Sequence, residues 1–75
     1  MQRYENVSGH SGVVAFELQP NAIIVQFQDG WKYRYTTVST GPSAIREMKQ
    51  YAQAGWGLST YISQHVKNAY AEKFR

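Results

Sequence analysis

The sequence predicts an α+β fold: a three-stranded antiparallel β-meander followed by two helices packed on one face, in the order βββαα. Three observations predict it. Residues 13–38 hold three runs rich in β-branched and aromatic residues, separated by short turn signals. Residues 42–70 switch to apolar spacings of three and four. Pro42 stands at the start of the first helical stretch, and Gly55 just past its end.

The elements follow in order. Residues 1–10 read as a flexible polar leader, closed by the turn composition of Ser8-Gly9-His10-Ser11-Gly12. Residues 11–75 then form a single domain. Residues 13–18 are the first strand, and Gln19-Pro20-Asn21 reverses the chain, since proline pre-sets φ and asparagine tolerates unusual dihedrals. Residues 22–27 are the second strand. The third, residues 31–38, alternates aromatic and polar side chains. Side-chain parity sets the pairing. Leu18 faces Ile23, Phe16 faces Val25 and Val14 faces Phe27, giving one continuous apolar face. A two-residue Asp29-Gly30 loop would set Lys32 against Phe27. A three-residue loop, Gln28-Asp29-Gly30 with Gly30 left-handed, sets Tyr33 against Val25 and is preferred. The aromatic column Trp31, Tyr33 and Tyr35 then faces inward, while Gln26, Gln28, Lys32, Arg34 and Thr36 face outward.

Residues 39–43 are a helix entry, and Ile45, Met48 and Ala52 mark the inner face of a helix running to about residue 53. Gly55-Trp56-Gly57 makes a corner. Leu58, Tyr61, Ile62, His65, Val66, Ala69 and Tyr70 then keep helical spacing across three turns. Three strands leave two open edges, which favours self-association.

Composition narrows the function. The 75-residue chain has 43% apolar and 17% charged residues, the balance of one small folded domain. It has no cysteine, which excludes disulfides, Cys-based zinc sites and thiol chemistry. Two histidines are too few for a metal cluster. No apolar run approaches the roughly 20 residues of a membrane span. The first residues lack a signal-peptide pattern, so a cytoplasmic location and no membrane partner are expected. The formal charge is +3, an excess that suits an anionic partner. Its cations are dispersed, so only the fold can gather them into a patch.

The motifs quoted above resemble the KTSC domain family, named after the C-terminal extension of some lysyl-tRNA synthetases. That family also occurs as small stand-alone bacterial and phage proteins. Its Tyr-x-Tyr pair, after a turn glycine and before a valine, is matched by Tyr33 and Tyr35 between Gly30 and Val38. Its later glycine, aromatic-Asn step and isoleucine are matched by Gly55, Leu58, Ser59 and Ile62, with Ser59 in place of asparagine. Residues 39–43 replace a shorter Val-Pro entry. The resemblance spans residues 10–70. It implies a small α+β domain, and the synthetase context implies RNA contact.

The residues themselves leave several readings open. Tyr33 and Tyr35 serve either as core or as stacking platforms on a sheet. Lys32 and Arg34, with Gln26 and Gln28, form either a phosphate-tracking face or an ordinary solvated one. Ser43, Arg46 and Lys49 near the first helix's start form either an anion site or a solvated helix face. Trp56 is either a partner anchor or a plug closing the corner. His65 on the apolar stripe reads as a packed, hydrogen-bonded histidine. The Ser/His pair at Ser8, His10 and Ser11 lacks an orienting acid, which counts against nucleophilic catalysis. Glu5, Glu17, Asp29, Glu47 and Glu72 are separated in this arrangement, so no acid–base pair or hard-metal site forms. The expected function is thus a non-enzymatic module without cofactors, binding nucleic acid through a basic sheet face. The alternatives are a protein-interaction or self-assembly module, or a homo-oligomeric binder of a small nucleotide-like anion.

Overall fold

The structure, a computed structural model, describes residues 1–9 and 11–75. His10, and with it the Ser/His pair weighed above, lies outside the described residues. The chain is a small α+β domain with an antiparallel sheet and helices on one face, as the sequence predicts. The sheet has five strands rather than three, in the order β1-β2-β3-β4-β5. These are β1 (Gln2–Arg3), β2 (Val13–Gln19), β3 (Ala22–Phe27), β4 (Lys32–Thr36) and β5 (Glu72–Phe74). The helices are α1 (Thr37–Thr40), α2 (Pro42–Ala54) and α3 (Leu58–Tyr61), the last continuing as a π-helical turn over Ile62–Val66.

The central meander follows parity. Leu18 pairs with Ile23, Phe16 with Val25 and Val25 with Tyr33. Gly30 takes φ 90 and donates its N–H to the Phe27 carbonyl at 2.9 Å, closing the three-residue turn. One position differs. A bulge lies between Val13 and Ala15, so Val13 rather than Val14 stands opposite Phe27. The extra residue reverses the parity before it: Val13 is buried and Val14 is exposed.

Residues 2–4, expected to belong to a flexible polar leader, are paired with the sheet and packed on it. Gln2 and Arg3 pair with Phe16 and Ala15, and the Tyr4 N–H donates to the Val14 carbonyl at 2.9 Å. Tyr4 is buried in the core, and its hydroxyl accepts the Leu58 N–H. The aromatic ring supplies the apolar area that a polar-looking segment otherwise lacks.

The other additions sit at the far edge. Strand β4 stops at Thr36, two residues early. Thr36 caps α1 through reciprocal bonds with Ser39, and Val38 is left 95% exposed. The last helix ends at Val66 instead of reaching Tyr70. There the Lys67 N–H donates to the Ile62 carbonyl at 2.7 Å, and Lys67 takes φ 47. Residues 72–74 return as β5, pairing Lys32 with Phe74, Tyr33 with Lys73 and Arg34 with Glu72. Strands β2 and β4, expected to be open edges, are therefore covered in part by β1 and β5. No helix among the described residues is long and apolar enough to cross a membrane.

Helix α2 presents Ile45, Met48 and Ala52 to the core, joined by Leu58, Ile62 and Val66 from the final helix. They close over Phe16, Ile23, Val25 and Tyr35 on the sheet's inner face. On the outer face, register places Ala15, Gln26 and Lys32 in one row and Glu17, Ile24, Arg34 and Glu72 in the next.

Candidate nucleic-acid interface

The candidate site forms where β4 and β5 meet. Alternation on β4 sends Lys32 and Arg34 outward and Tyr33 and Tyr35 inward, and β5 continues both rows. Phe74 joins Lys32 on the outer side, with the Lys32 ammonium 5.9 Å from the ring centroid. Lys73 joins Tyr33 on the inner side. Its ammonium lies 4.7 Å from the Trp31 ring centroid and 5.3 Å from that of Tyr33. The Arg75 guanidinium lies 4.8 Å from the same Trp31 ring and donates to the Asp29 carbonyl at 2.7 Å. Each such cation–ring contact is worth about 0.5–1 kcal/mol at a surface, so these side chains are held loosely and can turn to a stronger partner. Four of the eight basic residues thus gather around one sheet edge, against Asp29 and Glu72.

The cations differ in availability. Arg34 is engaged: it donates to the Glu72 carboxylate at 3.1 Å and to the Gln19 side chain at 3.4 Å. Lys32, Lys73 and Arg75 make no carboxylate pair among the described residues.

The other expected site residues divide. Gln26 stands beside Lys32 on the outer face. Gln28 belongs to the turn instead: its backbone N–H donates to the Gly12 carbonyl, and its side chain reaches the Ser11 carbonyl at 3.4 Å. Tyr35 is 1% exposed and cannot stack on a strand crossing the sheet surface. Burial, then the neighbouring Tyr33 and Tyr70 hydroxyls, push its pKa well up, so it stays protonated. Tyr33 is half-buried, with the Phe27 ring edge-on at 5.3 Å and the Tyr70 ring at 5.0 Å.

Ser43, Arg46 and Lys49 of the expected anion site are placed differently from one another. The Lys49 ammonium is taken by the carbonyls of Gln19 and Pro20, fastening α2 to the β2–β3 turn. Arg46 and Ser43 are exposed, and Glu47 lines the same shallow groove as both. A carboxylate there opposes anion binding.

Trp56 is no corner plug. It is 56% exposed, and Leu58 closes the corner in its place. The ring borders a separate cleft of about 400 Å³ with Tyr51, Tyr61 and His65. His65 is exposed, not packed within the stripe, and lies against the Tyr61 ring at 4.7 Å. The wider π turn displaces it from the helical stripe that includes Ile62 and Val66.

Sequence reading missed Lys73, Phe74 and Arg75. The segment Glu72-Lys73-Phe74-Arg75 could have been found by its charge pattern, but it sits at the end of a helical period that masked it. Comparison of the chain with protein-family models, curated proteins and solved structures yields no match.

Proposed function

We propose that the chain is a small non-enzymatic binding module for single-stranded nucleic acid, RNA above all, held along the β4–β5 edge. One observation carries this reading: paired strands interleave Lys32, Lys73 and Arg75 with the rings of Trp31, Tyr33 and Phe74. Cations gathered at one sheet edge neutralise phosphates of a strand bound there and release their counterions. Aromatic faces beside them stack unpaired bases without regard to sequence. The resemblance to KTSC domains and a cytoplasmic place of action belong to the same proposal. Self-assembly through sheet edges has less support, since β1 and β5 shorten both exposed edges. A phosphate-binding pocket at α2 loses Lys49 to backbone carbonyls.

Fluorescence anisotropy with labelled single-stranded RNA and DNA tests the reading. Three phosphate contacts give a log–log salt slope of about −2 on single strands. No binding at tens of micromolar protein in low salt, or binding indifferent to salt, overturns it.

A further inference from the structure

A second cleft, of about 410 Å³, opens beside this edge on the inner side of the sheet. That volume lies within the range of small-ligand sites. Phe27 and Tyr33 provide aromatic wall, Tyr35 also lines it, and Lys67 and Asn68 stand on the helical side.

Three independent features distinguish it. First, Tyr35 lines the cleft with a residue exposure of only 1%, and no hydrogen bond among the described residues uses its hydroxyl. No buried side-chain polar atom among the described residues lacks a partner, so this oxygen is reached by solvent at the cleft, where it can donate to whatever enters. Second, the final helix closes with a π turn, and Lys67 beyond it takes φ 47 and ψ −114. A lysine held at positive φ is strained, and such strain gathers where backbone is bent to serve a site. Here it sets Lys67 and Asn68 in the cleft lining. Third, Tyr33 is shared: its ring walls the cleft and also receives the Lys73 ammonium at 5.3 Å. Asp29 is the one acidic residue of the lining, which disfavours a phosphate there and leaves it outside with Lys73.

We infer that this cleft takes one unstacked nucleobase from a strand lying on the β4–β5 edge. The base ring enters against Phe27 and Tyr33. The Tyr35 hydroxyl donates to a carbonyl or ring-nitrogen acceptor on the base, and the Asn68 amide meets another edge group. Lys73 holds the adjoining phosphate. This inference rests on the nucleic-acid reading and gives it a discriminating element, since a pocket with a fixed donor responds to the base and not only to charge.

The experiment compares Tyr35→Phe with the unaltered chain. Its probes are a labelled RNA oligomer and an abasic ribose-phosphate strand of equal length. The variant removes one unpartnered hydroxyl, so its melting temperature does not fall. The unaltered chain prefers the RNA, and Tyr35→Phe weakens RNA binding by about fivefold while leaving the abasic strand unaffected. In parallel, ribonucleoside 5′-monophosphates shift the ring NMR signals of Tyr33 and Tyr35. Equal affinity for the two strands, or an unchanged RNA preference in Tyr35→Phe, overturns the base pocket while salt-dependent binding leaves the edge reading standing. Binding of neither strand overturns both.

Discussion

Replacing Lys73 and Arg75 together by alanine lowers affinity for single-stranded RNA about tenfold and reduces the magnitude of the salt slope by about 1.4, the share of two phosphate contacts. Both cations rest only on aromatic rings and a backbone carbonyl, so turning toward phosphate costs them little. Arg34→Ala is the matched comparison. Arg34 must leave Glu72 and Gln19 before it can meet a phosphate, so its loss changes affinity much less. The double variant keeps the backbone pairing of β5 with β4 and loses three cation–ring contacts, so its stability falls by about 2 kcal/mol. Anisotropy across a salt series, with urea unfolding beside it, separates lost contacts from lost structure. An Arg34→Ala effect as large as that of the double variant would relocate the phosphates to the sheet's outer face.

Gly55→Ala destabilises the fold by about 3 kcal/mol, a large share of what a chain of this size possesses. Gly55 follows α2 at φ 82, where an L side chain is strained by about 1–2 kcal/mol. A Cβ there would also lie 2.7 Å from the Glu5 Cβ, near the backbone of the segment after β1. That segment cannot withdraw freely, because the Val7 N–H donates to the Gly55 carbonyl at 2.8 Å and Tyr4 is buried. Gly9→Ala isolates the backbone share, since Gly9 has φ 76 with nothing within 4 Å of an added Cβ. Urea midpoints of the two variants measure the difference. If Gly55→Ala unfolds no more readily than Gly9→Ala, residues 4–7 are not docked against the corner.

Much of the fold was legible because parity and turn chemistry are local. The Leu18–Ile23 and Val25–Tyr33 registers, the left-handed Gly30 and the extent of α2 all follow from side-chain alternation or from glycine and proline placement. The misses share a cause: each depends on partners distant in sequence. Tyr4 belongs to the core because Leu58 and β2 receive it, 54 residues away in one case. Residues 72–74 are a strand because β4 presents an edge, while their neighbours Ala69 and Tyr70 continue a helical spacing that the π turn interrupts. Val14 faces solvent because of one bulged residue. At the site, the inward turn of Tyr33 and Tyr35 was readable from alternation. The second half of the interface, Lys73, Phe74 and Arg75, was not, since pairing alone brings it beside Trp31 and Lys32. Lys49 shows the converse: sequence offered it as an anion ligand, and the β2–β3 turn claims it.

Amide chemical-shift mapping during addition of a short single-stranded RNA at low salt tests the central claim most directly. The largest shifts fall at residues 31–34 and 72–75 and fade as salt is raised. Shifts confined to the Trp56 cleft, or a spectrum that does not respond at all, contradict it.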